Sequence, residues 1–156
     1  YDSTLSLSGH WQMKKHYNLN SNIAQTLNIV GDKWSLLLLH ELLSGPSTFK
    51  ELQLNLEGIP TNLLSDRLKR LENDGLIISS LYQTHPPRYS YTLTESGVDL
   101  QDIFNTLVIW GNKHLNPAYK KLVHNHCGNE IEIQYYCSHC KEVVPRGDCS
   151  SCAITD

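Results

Sequence analysis

Between Ser21 and Gly75 the chain is cut at Gly31-Asp32, Gly45-Pro46, Glu57-Gly58-Ile59-Pro60 and Asp74-Gly75, and this punctuation restricts the fold more than any other feature. Each piece keeps a helical period. In the first, Ile23, Ala24, Leu27 and Val30 recur at helical spacing, and Gly31 reads as a left-handed terminal residue. Asp32 is placed to cap the second, where Trp34, Leu37, Leu38 and Leu42 form a wide apolar stripe. Thr48 and Glu51 make the Thr-x-x-Glu box that opens a third helix, carrying Phe49, Leu52 and Leu56 inward. A fourth runs from Thr61 to Asn73 with Leu64, Leu68 and Leu71 on one face. Two short helices joined by a tight glycine-containing turn make a helix-turn-helix.

Downstream the period changes. Leu76 to Tyr82 and Tyr89 to Leu93 are rich in Ile, Tyr and Thr and flank Thr84-His85-Pro86-Pro87, which predicts a two-stranded hairpin, or wing. Thr94 then caps one long final helix on which Leu100, Ile103, Phe104, Leu107, Val108 and Trp110 form a stripe reaching Leu115. That stripe is wider than so small a core can cover. Self-complementary pairing with a second copy through Leu100–Leu115 is its simplest use, giving a homodimer. The expected fold class is therefore mainly α with a small β-hairpin wing (α+β), a winged helix-turn-helix with a cysteine-rich C-terminal tail. Residues 1–12 lack periodicity and precede the single methionine, Met13, and read as a remnant of recombinant expression. Residues 13–115 are expected to bind DNA and dimerise, and 116–156 to form the tail.

Composition excludes several classes. No window approaches the ~18 apolar residues that span a bilayer, and no secretory pattern opens the chain, so a soluble, cytoplasmic protein without membrane contact is expected. The net charge of −3 argues against coating nucleic acid by bulk electrostatics and leaves room for a local basic face. No nucleophile–base pairing, phosphate-cradling glycine loop or open metal site is present, so no enzyme is expected.

With Leu64 at the centre of the buried face of the Thr61–Asn73 helix, Asn62, Ser65, Asp66 and Lys69 point the opposite way. Any amphipathic helix shows such a polar face; the wing just downstream makes it a candidate reading surface for double-stranded DNA. A recognition helix presents its N-terminal residues to base edges, which favours Thr61, Asn62 and Ser65. Asn62 can pair bidentately with adenine. Arg88 follows Pro86-Pro87 at the wing tip, next to His85, where its guanidinium reaches phosphate or the minor groove. Arg67 lies beside the core face and either braces the helix or reaches a phosphate. Thr48 and Lys50 are placed to hold backbone oxygens and set register.

All five cysteines lie between Cys127 and Cys152, so they do not staple the body of the chain as a secreted disulfide framework would. Metal or redox chemistry in a reducing compartment fits better. Cys137, Cys140, Cys149 and Cys152 form two Cys-x-x-Cys pairs with eight residues between them, which suits a structural, tetrahedral Cys₄ zinc site. A rival set uses Cys127, Cys137 and Cys140 with His124 or His126, and a third reading leaves disulfides or free thiols. His139, between two ligands, is expected to face solvent. Four sulfurs leave no open position for catalysis; a sensory role stays open, since clustered thiolates lose zinc on oxidation.

From Asn20 to Gly111 the chain resembles the HxlR-type regulators, winged helix proteins of MarR-like architecture. The resemblance rests on Gly31-Asp32-Lys33-Trp34-Ser35, on Glu41-Leu42-Leu43-Ser44-Gly45-Pro46 with Phe49-Lys50-Glu51-Leu52, and on Leu64-Ser65-Asp66-Arg67-Leu68-Lys69-Arg70-Leu71-Glu72. It continues through Gly75-Leu76-Ile77, Pro86-Pro87-Arg88-Tyr89-Ser90-Tyr91 and Leu93-Thr94-Glu95-Ser96-Gly97. It implies a homodimeric transcriptional regulator on a pseudo-palindromic operator. Several such regulators use a cysteine just before the first helix as a thiol sensor; here that position falls at Ser21. The competing readings are a protein-interaction adaptor with a zinc-ribbon-like tail and a redox sensor built on the C-terminal cysteines.

Overall fold

The computed structural model describes residues 16–152 and residue 154, so the expected expression remnant at 1–12 lies outside the described residues. The chain divides into two compact units, Tyr1–Val98 and Asp99–Asp156.

The first unit opens with α1 (Asn22–Val30), whose N-cap is Ser21: its hydroxyl accepts the Ala24 N–H at 3.4 Å. Gly31 closes α1 with φ −77, in the right-handed region rather than the left-handed one expected, because the chain turns straight into the next cap. The N-cap of α2 is Trp34 rather than the expected Asp32, which stands two residues earlier and closes the turn into the helix: its Oδ1 accepts the N–H groups of Trp34 at 3.0 Å and Ser35 at 3.1 Å, while Oδ2 accepts the Ser35 hydroxyl. Helix α2 (Ser35–Leu42) follows, burying Ser35, Leu38, Leu39 and Leu42. Leu37 is 50% exposed and Trp34 only half-buried, so the buried stripe is rotated from the one expected. Four consecutive leucines, Leu36 to Leu39, satisfy a stripe in any phase; the Asp32–Ser35 hydrogen bonds choose one.

Strand β1 (Ser47–Thr48) leads into α3 (Phe49–Asn55), where both halves of the capping box form: Thr48 N–H donates to Glu51 Oε2 at 2.8 Å and Glu51 N–H to Thr48 Oγ1 at 3.2 Å. Helix α4 (Thr61–Asn73) has the bounds the leucine pattern predicts and buries Leu64, Leu68 and Leu71. Gly75 ends it at φ +79, a conformation in which a Cβ is strained. The wing consists of β2 (Ile77–Thr84) and β3 (Pro87–Leu93), longer strands and a tighter turn than expected. The sheet order is β1-β3-β2, all antiparallel. The core of this unit is Ala24, Val30, Leu38, Leu39, Leu42, Leu52, Leu56, Ile59, Leu64, Leu68, Leu71, Leu76 and Ile77.

Thr94 caps only the short α5 (Glu95–Val98), accepting the Gly97 N–H at 3.3 Å and donating to the Gly75 carbonyl at 2.6 Å. A Cβ on Gly97 would lie 2.3 Å from the Leu76 carbonyl oxygen, so the close approach of α5 to the start of β2 requires glycine. The single long helix expected from Thr94 is thus two. Its main part, α6 (Gln101–His114), opens the second unit. After α6 come a bridge between Val123 and Glu130, the hairpin β4 (Tyr135–Cys137) and β5 (Glu142–Val144), and a 3-10 turn at Arg146–Asp148. Asn112 Nδ2 of α6 donates to Glu130 at 3.2 Å. No helix among the described residues is long and apolar enough to cross a membrane.

The phase of α2 gives a direct test. Leu38→Ala should cost about 2–5 kcal/mol in urea unfolding, as fully buried leucines do. Leu37→Ala should stay within about 0.5 kcal/mol; the reverse order would contradict the observed buried face.

Candidate nucleic-acid interface

Helix α4 is held by its buried leucines and by the ion pair of Arg67 with Asp32, and Arg67 also pairs with Asp66 on its own helix. Arg67 Nε donates to Asp32 Oδ1 at 3.0 Å and Arg67 Nη1 to Asp66 Oδ2 at 2.7 Å, with the Arg67 side chain 15% exposed. Of the two roles expected for Arg67, the structure shows the brace: its guanidinium is turned toward the N-terminus of α2. Burial by itself would raise the Asp32 carboxyl, but hydrogen bonds from Ser35 and the Trp34 N–H, with the Arg67 charge, outweigh it and hold the group below its ordinary value.

With Arg67 fixed, Asn62, Asp66 and Lys69 are exposed on the outer face of α4 and Ser65 is half-buried beside them. Thr61 is exposed at the first turn, where its hydroxyl accepts Gln53 Nε2 of α3 at 2.6 Å. That bond ties the two helices of the helix-turn-helix at the end facing outward. Nothing in the sequence marks Gln53, since a glutamine on a short helix has no distinguishing pattern.

The wing is joined to this surface twice. Glu72 near the end of α4 accepts both the N–H and the hydroxyl of Ser79 on β2, at 3.0 and 2.6 Å. At the other end, β1 pairs with β3, placing Thr48 opposite Ser90. As a result Thr48 and Lys50 line one groove with Arg88, far from them in sequence, together with Phe49, Tyr82, Pro87, Tyr89 and Tyr91. Burial and then the nearby Glu72 and Tyr89 push the Tyr91 phenol up, so it stays a neutral donor. The tyrosines are not among the residues expected at the site, because their spacing marks them only as strand formers. His85 and Arg88 are exposed at the wing turn, with His85 Nδ1 3.2 Å from Thr84 Oγ1.

The cysteines lie elsewhere, all in the second unit, and all five are free. Among the described residues no three His, Cys, Asp or Glu side chains are gathered closely enough to hold a metal ion, so the expected Cys137, Cys140, Cys149 and Cys152 set is not assembled. Cys137 does have a distinct environment. Backbone N–H groups of Cys140 and His139 point at its sulfur and hold its thiol below the ordinary value.

The Asp32 network carries a pH signature. A carboxyl held below its ordinary value of 3.8 contributes stability above that pH and loses it as pH falls through the lowered value. Asp32→Asn should therefore destabilise the fold by about 1.5–3 kcal/mol at neutral pH, the range for hydrogen bonds to charged groups. The gap from wild type should close below pH 3.8; a gap independent of pH in denaturant titrations would refute this role.

The HxlR-like helix-turn-helix family model matches residues 29–119. Over 127 residues the chain is 37% identical to the HTH-type transcriptional regulator Mb3122 of Mycobacterium bovis, with 79% of each chain covered. The structure of the reduced form of the transcriptional regulator YodB from Bacillus subtilis matches with a TM-score of 0.54 at 28% identity, covering 65% of this chain and 100% of YodB. The crystal structure of PA1607 matches with a TM-score of 0.73 over 88% of this chain and 97% of PA1607, at 23% identity, a likeness of fold alone. The winged arrangement and these similarities converge: the chain belongs to the HxlR-like helix-turn-helix family and is a transcriptional regulator.

Proposed function

We propose that the protein acts in the cytoplasm as a homodimer that reads a pseudo-palindromic operator, with residues 13–115 supplying both DNA binding and dimerisation. The observation that carries this is the outer face of α4, free of Arg67, beside a wing groove that brings Lys50, Thr48 and Arg88 together. Asn62 and Ser65 at the start of α4 supply hydrogen-bonding groups for base edges in the major groove. Thr61 contributes through the oxygen already bonded to Gln53. Lys50, Lys69 and Arg88 supply phosphate contacts, with His85 at the wing turn, and Thr48 sets register at the helix start.

Pairing is assigned to α6. Ile103, Leu107 and Trp110 recur at helical spacing and are 39%, 51% and 59% exposed in the single chain, a stripe that a second copy would cover by two-fold symmetry. A dimer of this kind places its two recognition helices about 34–36 Å apart, one turn of B-DNA.

The thiol-sensing device of some such regulators is not supported at the first helix. Ser21 occupies that position and caps α1.

Gel-shift titrations against the protein's own upstream region test the reading. Arg88→Ala and Lys50→Ala should weaken binding across all sequences and each lower the salt slope by about one. Asn62→Ala should cost about 1–3 kcal/mol on the operator and relax the preference at one base pair. Indifference of the wild-type protein to duplex DNA at low salt would end this interpretation. For the dimer, Leu107→Glu should give monomers in sedimentation and lose affinity for the full operator more than for a half-site. An unchanged sedimentation coefficient would move the interface off α6.

A further inference from the structure

Two turns of the second unit are built to one plan. In the first, His124 to Gly128, the Gly128 N–H donates to the His124 carbonyl at 2.7 Å and Gly128 takes φ +72. In the second, Cys137 to Lys141, the Lys141 N–H donates to the Cys137 carbonyl at 2.8 Å and Lys141 takes φ +57, the one positive φ of a non-glycine among the described residues. Each turn is framed by antiparallel pairing, Val123 with Glu130 and Cys137 with Glu142. Both therefore carry a metal-ligating side chain at the first and fourth positions and reverse at the fifth.

The donor atoms are placed to match. In the first turn His124 Nδ1 lies 3.4 Å from Cys127 Sγ. A tetrahedral zinc with its usual bond lengths separates a nitrogen and a sulfur ligand by about 3.6 Å, so this pair already has the required bite. In the second the Cys140 N–H points at Cys137 Sγ at 3.4 Å, leaving the sulfur oriented by its own turn. Cys149 instead sits in extended backbone, φ −103 and ψ 131, and residues 149–152 form no turn.

We propose that the chain holds one zinc ion through His124 Nδ1, Cys127, Cys137 and Cys140, and that Cys149 and Cys152 are not ligands. The side chains of the two turns do not converge on one point in the structure, so binding closes one turn over the other. Each of the three thiols gives its proton to solvent, and the imidazole binds neutral. The unit has reason to need such a bond. Ile131, Ile133, Tyr135, Tyr136 and Val143 are all exposed, and Phe104 is the one buried large apolar residue among the described residues of 99–156. Ligand bonds replace the missing core.

The test is metal binding by the full chain purified anaerobically, read with zinc and with cobalt(II). One ion per chain is expected, with a cobalt–thiolate charge-transfer band of three-sulfur intensity. His124→Ala and Cys127→Ser should each weaken binding by about 100-fold or more, at least the upper range for losing an outer partner. The double variant Cys149→Ser, Cys152→Ser should bind as wild type, and His124→Cys should keep the ion and raise the band by about a third. Absence of bound metal, wild-type affinity in Cys127→Ser, or loss of binding in the double variant would each overturn the proposal. If a variant fails to fold, the wild-type cobalt spectrum still decides: four-sulfur intensity refutes the ligand set and three-sulfur intensity supports it.

Discussion

The helix-turn-helix and wing of this molecule depend on one carboxylate. Asp32 accepts the N–H groups that open α2, the hydroxyl of buried Ser35, and the guanidinium of Arg67 on α4. A side-chain bond to the N–H groups of a nearby turn is local by nature and helps set where the following helix begins. Here it also reaches a residue thirty-five positions away, so the start of α2 and the rotation of α4 are fixed by the same atoms. The rotation matters because it decides which side chains of α4 face outward. Leucines at 64, 68 and 71 define a buried stripe, but a stripe tolerates some roll; a charged hydrogen bond at 3.0 Å tolerates much less.

A second constraint positions the wing. The short β1 is where one residue, Thr48, serves two structures at once: its side chain and N–H close the capping box of α3, and its backbone lies opposite Ser90 of β3. Glu72 does the corresponding work at the far end of α4, holding Ser79 on β2. The wing is thus tied to both helices of the helix-turn-helix. That is why Arg88 and Lys50, thirty-eight residues apart, come to line one groove.

Much of this was legible in the sequence where local chemistry decides the outcome. The bounds of α4 follow from three spaced leucines and Gly75, and the capping box from Thr48 and Glu51, because each signal is complete within a few residues. The phase of α2 was not legible. Four successive leucines carry no periodicity, and the choice among them is made by a bond to a neighbouring loop. The two-residue β1 has no pattern of its own and exists through its partner strand. The break between α5, ending at Val98, and α6, starting at Gln101, has no signal in the apolar spacing, which runs on across it. In the candidate site, exposure of Asn62 and Arg88 could be read from spacing, whereas the inward turn of Arg67 required knowing that Asp32 lies within reach.

The fate of Arg67 bears on how a chain of net charge −3 can engage a polyanion. Arg67 is paired with two carboxylates and is not freely presented, while Lys33 is exposed with its Nζ 5.2 Å from the centre of the Trp34 ring. What remains around α4 and the wing is a small set, with Lys50, Lys69 and Arg88 at its centre. Few phosphate contacts mean few released counterions, hence weak attachment to arbitrary sequence and a shallow dependence on salt. On the proposed reading, discrimination then comes from the groups that meet base edges and from shape, to which a precisely rolled α4 contributes. A regulator built this way gains little from general attraction to DNA and much from geometry, which is what the Asp32 carboxylate supplies.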